Sequence, residues 1–145
     1  MPKIERKVLD LIKDGPIIGL CIYPPRAVAE FLQLQGKSVP FRHISALIDT
    51  GSTTTAIDDK IAQELGLIHR DVGKFGTTGG IVEQFLYDLQ AEITLDNGEY
   101  IGSIEIQSVG INLESQNCFA IIGRDLLQHA KFVYDGRKNK YSLEF

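Results

Sequence analysis

The sequence predicts a mostly-β domain with a few short helices, and three observations predict it. Leu89, Ala91, Ile93 and Leu95 alternate with Gln90, Glu92 and Thr94, the period-two pattern of a strand with one buried face. Asp96-Asn97-Gly98 then turns the chain into a second alternating run carrying Ile104 and Ile106. Near the C-terminus, Phe132–Tyr134 and Tyr141–Phe145 flank Asp135-Gly136-Arg137-Lys138-Asn139 and read as a closing hairpin.

The remaining elements follow in order. Over Lys3–Asp14, Ile4, Val8, Leu11 and Ile12 fall at helical spacing with charges between them, and Gly15-Pro16 stops the pattern, so a short amphipathic helix is predicted. Pro16–Tyr23 is an apolar run suited to a strand, ended by Pro24-Pro25. Ala27–Leu34 presents Val28, Phe31 and Leu32 on one face with Gly36 behind, a second short helix inside an insertion over 24–40 that carries no assigned function. Asp58-Asp59 opens a helix through Ile61, Ala62 and Leu65, with Gly66 as its stop. The chain reads as one domain over 1–145, with an N-terminal helix, strand and insertion in 1–40 and the core in 41–145.

Composition narrows the function. The chain has 145 residues and a net charge of −4, and its 15 Lys and Arg are scattered. Binding to nucleic-acid phosphates needs a clustered basic excess, so no nucleic-acid partner is predicted. No apolar run reaches the roughly 20 residues that span a bilayer, so no membrane association is predicted. Acid lies among the bases of the N-terminus and no long apolar stretch follows, which does not read as a signal peptide and implies a cytoplasmic protein. Cys21 and Cys118 sit among apolar neighbours and read as buried free thiols. His43, His69 and His129 show no metal-ligand spacing. Neither a metal nor another cofactor is predicted.

Asp49-Thr50-Gly51-Ser52 follows the apolar run Ile44–Ile48. A carboxylate at the end of an apolar strand is costly unless hydrogen bonds or a shared proton compensate it. Catalysis is one reason for such a placement, and an Asx turn capped by Ser is the other. About 70 residues downstream lies Ala120-Ile121-Ile122-Gly123-Arg124-Asp125-Leu126-Leu127, and between the two lies Lys74-Phe75-Gly76-Thr77-Thr78-Gly79-Gly80-Ile81. Together, in this order and spacing, the three segments resemble the active loop, the glycine-rich flap and the Ile-Ile-Gly-Arg segment of retropepsin-like aspartic proteases.

The resemblance implies a closed β-barrel of the acid-protease kind with a few short helices, working as a two-fold homodimer. It implies that Asp49 is the catalytic carboxylate, that Thr50 interlocks the loops of the two subunits, and that the Gly51 carbonyl accepts from substrate. Only one such Asp occurs in the chain, so a pair requires a second copy. Gly76, Thr77, Thr78, Gly79 and Gly80 map to the flap, and Thr78 makes its tip more polar than the aliphatic tip common in the family. Ser52 stands where retroviral enzymes often have Ala, and its hydroxyl is expected to donate toward the paired carboxylates and keep the active range acidic. Arg124 maps to the Arg that braces the active loop. The family's usual Asp partner is Thr53 here, so Arg124 either reaches another partner, such as backbone carbonyls, or lies on the surface. Phe119, Cys118, Ala56 and Ile57 are either apolar subsite walls or core. Tyr141–Phe145 is expected to supply a strand at or near the dimer interface. The activity implied is hydrolysis of an extended peptide or protein substrate by water held between two Asp49 carboxylates. The alternative is a peptide-binding or dimerisation module with little or no turnover.

Overall fold

Ile44, Ala46 and Ile48 alternate into the interior along a strand whose intervening side chains face outward, and the barrel is built around this strand. The computed structural model describes residues 2–145, with 70 and 100–103 described by backbone alone; Met1 lies outside the described residues. In chain order the elements begin with β1 (Lys3–Lys7), α1 (Leu11–Asp14), β2 (Ile17–Tyr23), α2 (Arg26–Leu34), β3 (Arg42–Ile48), β4 (Ala56–Asp58) and α3 (Asp59–Glu64). They continue with β5 (His69–Thr77), β6 (Gly80–Thr94), β7 (Tyr100–Ile111), β8 (Ala120–Ile122), α4 (Arg124–Leu127), β9 (Lys131–Asp135) and β10 (Lys140–Glu144).

Strands β2, β3, β8, β4, β7 and β6 pair in that order, and β6 pairs back onto β2, closing a six-stranded barrel. Leu20, Ile22, Ile57, Leu89, Ile93 and Ile122 fill its interior and are almost fully buried. Burying a side chain of this kind is worth about 1.5–3 kcal/mol, so the barrel core is the main source of stability. The outer half of β6 pairs with β5 as a projecting hairpin. A second sheet has the order β1-β10-β9 and packs Ile4, Tyr141 and Leu143 onto the same core.

One pairing decides where the site lies. β3 and β8 are parallel neighbours, with Ala46 opposite Ala120 and Ile48 opposite Ile122. Parallel strands end on the same side of a sheet. The segment after Ile48 and the segment after Ile122 therefore emerge side by side, although 74 residues separate Asp49 from Gly123 in the sequence.

The strands predicted at 16–23, 89–95, 132–134 and 141–145 are present, as are the helices at 27–34 and 58–65. The N-terminal helix over 3–14 is not: residues 3–7 form β1, and helix is confined to α1. Ile4 lies directly opposite Leu143 of β10 with both side chains buried, so long-range pairing overrides a helical spacing that would have brought Ile12, now 91% exposed, to the core. Gly15 does end α1, at φ +72°, with its N–H on the Leu11 carbonyl at 3.0 Å. Helix α2 has no buried residue, and Val28 and Phe31 on its apolar face are exposed. β10 lies between β1 and β9 with both of its sides paired. Within one chain it has no free edge.

Candidate active site

Asp49 leaves the end of β3 with its N–H on the Ile122 carbonyl at 3.0 Å, so the barrel itself fixes its backbone. The loop then curls around the carboxylate: the Gly51 N–H donates to Asp49 Oδ1 at 2.8 Å, and the Ser52 N–H to the Asp49 carbonyl at 3.2 Å. A Cβ at Gly51 would lie 3.1 Å from Asp49 Oδ1, so glycine lets the backbone close on the acid without pushing it aside. The Ser52 hydroxyl donates to the Thr54 carbonyl at 2.7 Å. It is engaged within the loop, not directed at Asp49 as the sequence reading expected.

Helix α4 holds this loop from behind. The Arg124 N–H donates to the Ser52 carbonyl at 2.8 Å and the Asp125 N–H to the Thr53 carbonyl at 3.2 Å. The Arg124 guanidinium donates to the Thr50 carbonyl at 2.7 Å and to the Thr53 hydroxyl at 3.0 Å. Thr53 thus takes the guanidinium where the resemblance would have placed an Asp. Gly123 approaches so closely that a Cβ there would lie 2.6 Å from the Thr54 carbonyl carbon.

Thr55 and Asp125 form the centre of the brace. The Asp125 carboxylate accepts from the Thr55 N–H at 3.0 Å and from the Thr55 hydroxyl at 2.6 Å. That hydroxyl accepts in turn from the Gly123 N–H at 3.1 Å. The Thr55 carbonyl accepts from the Ser108 hydroxyl and from the Val109 N–H, both at 3.1 Å. Sequence reasoning gave neither Thr55 nor Asp125 a role. The signal available was an acid directly after Arg124 and a β-branched hydroxyl six residues after Asp49.

Above the loop stands the β5–β6 hairpin. Thr77 pairs with Gly80, leaving Thr78-Gly79 as the turn, and Gly80 has φ +116°. The Thr77 hydroxyl donates to the Gly80 carbonyl at 2.8 Å and accepts from the Gly79 N–H at 3.2 Å, which fastens the tip to itself. Lower down, the Phe75 ring lies across Gly73, where a Cβ would sit 2.6 Å from a ring carbon.

Hairpin and loop enclose a cavity of about 430 Å³. Its floor is Asp49, Gly51, Ser52, Thr53 and Thr54; its roof is Phe75, Gly76, Thr77, Val82 and Gln84; Ala56, Val109, Ile111 and Ile121 form the walls. Of the residues expected from sequence, Asp49, Gly51, Ser52, Gly76 and Thr77 meet here. Thr50 faces Arg124 through its carbonyl, and Thr78, Gly79 and Gly80 lie at the tip beyond the lining. Phe119 is half exposed and lies outside the lining, whereas Ile121, two residues nearer the active loop, lines the wall. Cys118 and Ile57 are buried and outside the lining, whereas Ala56 does line the cavity. Sequence reasoning had not singled out Gln84 or Val109, which reach the cavity only through the register of β6 and β7. Among the described residues, Asp49 is the one charged residue of the lining. Both cysteines are free and buried.

No protein-family model matches the sequence, and no curated protein matches it. Among solved structures, a retropepsin-like aspartic protease from Rickettsia conorii matches at 17% identity and a TM-score of 0.55, over 98% of this chain and 98% of that one. EIAV protease complexed with the inhibitor HBY-793 matches at 20% identity and a TM-score of 0.49, over 88% of this chain and 100% of that one. The retroviral protease-like domain of Ddi1 from Leishmania major matches at 15% identity and 0.44, over 85% and 84%. The match to the Rickettsia structure runs nearly end to end in both chains, and the fold is retropepsin-like. No helix among the described residues is long and apolar enough to cross a membrane.

Proposed function

We propose that this chain is an aspartic endopeptidase whose catalytic unit is a two-fold homodimer, with one Asp49 from each copy. The observation that carries the reading is the position of Asp49: the one charged group among the described residues lining a cavity of about 430 Å³, fixed by the barrel at its backbone and by Gly51 at its carboxylate. A retropepsin-like fold adds a precedent for that position without deciding the chemistry.

In the dimer the two carboxylates hold one proton and one water between them. The ionised carboxylate takes a proton from the water, whose oxygen attacks the scissile carbonyl, while the protonated carboxyl donates to the carbonyl oxygen. Collapse of the tetrahedral intermediate breaks the C–N bond, and the amine leaves with a proton returned from the dyad. The β5–β6 hairpin acts as a flap over an extended peptide, reading backbone groups and alternate side chains. Ala56, Val82, Val109, Ile111 and Ile121 would receive apolar side chains.

The test is cleavage of a denatured protein substrate across acid to neutral pH, with and without a statine-type transition-state analogue. The reading predicts cleavage that the analogue blocks, that Asp49→Asn and Asp49→Ala abolish, and that falls per chain on dilution. Cleavage retained by purified Asp49→Ala would sink the mechanism. Peptide binding without turnover in the unmodified dimer would favour the binding-module alternative.

A further inference from the structure

Helix α2 walls a second groove, of about 320 Å³, away from Asp49. Val28 and Leu32 of α2 stand on one side of it, and Leu65, Leu67 and Ile68, which follow α3, on the other. Val28 and Ile68 are exposed, so apolar surface is left open to water in a concave site of ligand size. The groove is preformed. The Glu105 carboxylate accepts from the Arg26 N–H at 2.7 Å, and the Gln90 side chain, directly opposite Glu105 on β6, donates to the Pro24 carbonyl at 2.9 Å, so two neighbours on the barrel clamp the start of α2. Both walls end in the same kind of glycine cap, at Gly36 and Gly66: the Lys37 N–H donates to the Leu32 carbonyl and the Leu67 N–H to the Ala62 carbonyl, each at 2.9 Å.

Charge and position select the occupant. Asp88 lines the groove and also an adjoining depression that it shares with Glu105, and among the described residues no Lys, Arg or His lines either one. A carboxylate accepts several donors at once, so this end suits a cationic group while the rest suits apolar side chains. The depression leads back toward Asp49. Val109, Gln107 and Glu105 alternate onto one face of β7; Val109 walls the active cavity, and Gln107 and Glu105 line the depression beside Asp88. Thr54, on the cavity floor, also borders a hollow beside α4 that reaches Gln107. Only four residues of strand, roughly 13 Å, separate Val109 from Glu105, a gap that a few extended residues of one polypeptide span.

We infer that the α2 groove is a second binding site for the polypeptide substrate, taking apolar side chains between α2 and Leu65–Ile68 and a neighbouring Lys or Arg at Asp88. That the bound segment belongs to a substrate rests on the function proposed above; the chemistry of the groove sets which segment it takes.

Fluorescence anisotropy of two labelled peptides with the full chain tests it, one carrying two leucines followed by a lysine in a Gly-Ser background, the other with glutamate in place of that lysine. The lysine peptide should bind saturably and the glutamate peptide roughly tenfold more weakly, and Asp88→Lys should reverse that order. Val28→Asn should weaken both peptides, whereas Leu34→Asn, on α2 but outside the lining, should weaken neither. No saturable binding of the lysine peptide, equal binding of the two, or an order that Asp88→Lys leaves unchanged would overturn the inference. So would an equal loss in Leu34→Asn and Val28→Asn, which would mean that the exposed face of α2 gathers apolar partners, a second copy included, without the groove. If a variant fails to fold, the contrast between the two peptides on the unmodified chain decides. Binding is read without cleavage. In cleavage of a substrate that carries the segment, Asp88→Lys should raise KM more than it lowers kcat. A chain that discriminates between the peptides but cleaves nothing would count against the proposed function alone, and an active peptidase whose KM and peptide binding both ignore Asp88→Lys would count against the groove alone.

Discussion

The Thr55 hydroxyl donates to the Asp125 carboxylate at 2.6 Å across 70 residues of sequence, and it accepts from the Gly123 N–H at 3.1 Å in the same network. The Thr55 side chain is thereby satisfied as donor and acceptor while 2% exposed. This contact joins the entry to β4 to the start of α4 below the active loop. It makes the placement of Asp49 depend on α4 as much as on β3.

Thr55→Val keeps the shape of the side chain and removes both hydrogen bonds of its hydroxyl, leaving the Gly123 N–H and one Asp125 lone pair unpartnered. Such a change costs about 1–3 kcal/mol. The urea midpoint should fall accordingly without a change in m-value. In the proposed enzyme, kcat should fall more than KM rises, because the loop carrying Asp49 loses its support and not its substrate contacts. An unchanged midpoint would show that the network carries no net stability.

Gly123 and Gly76 separate close packing from chain flexibility. A methyl group at Gly123 would meet the Thr54 backbone at 2.6 Å, whereas one at Gly76 meets nothing within 4 Å. Gly123→Ala must push α4 from the active loop and should cost about 1–3 kcal/mol. Gly76→Ala should leave the melting temperature unchanged and affect only what the cavity admits, since Gly76 lines the roof. Thermal denaturation of the two variants side by side checks the contrast, and equal losses would contradict it.

Much of this site is legible in the sequence wherever the chemistry is local. Asp49-Thr50-Gly51, the glycine-rich turn at 76–80 and the segment from Ala120 to Leu127 each announce themselves through residues adjacent in the chain. What eludes a linear reading is whatever depends on pairing. Ile4, Val8, Leu11 and Ile12 fit a helical period over a short window, and only the partner strand β10 selects the extended form for Ile4. Phe119 and Ile121 are equally apolar and two residues apart, so alternation cannot separate them; Ile121 lines the cavity because it lies one step nearer the active loop, a placement set by the pairing of β8 with β3. Thr55 and Asp125 lie beside the recognisable segments, but nothing local says that they pair with each other across 70 residues.

Ser52→Ala should leave the pH dependence of cleavage where it is in the unmodified protein. The sequence alone suggested a hydroxyl aimed at the carboxylates, but the Ser52 hydroxyl spends its proton on the Thr54 carbonyl at 2.7 Å. Losing that bond should cost about 0.5–1.5 kcal/mol of stability. Coincident pH profiles together with a lower melting temperature are the expected outcome. A displaced profile would mean that the hydroxyl turns toward the dyad once two subunits meet.

Glu5 should contribute to the acid limit of the fold. Its carboxyl accepts from Lys140 at 2.8 Å and Lys3 at 2.9 Å, and these bonds, that from Lys140 foremost, lower its pKa from 4.5 to about 2. A carboxyl whose folded pKa lies below its unfolded one adds stability that is fully present above the unfolded value and is lost as pH falls through the folded one. The window therefore runs from 4.5 down to about 2. Asp96, lowered by its hydrogen bond with Arg6, acts with the same sign on the same strand. Glu5→Gln keeps an acceptor for Lys140 but cannot titrate, so its melting temperature should fall less steeply with pH across that window than that of the unmodified chain. Both groups are exposed, so the difference should be small and should shrink with added salt. Parallel melting curves at every pH would show that the Lys140–Glu5–Lys3 ladder contributes nothing to holding β1 on β10 in acid.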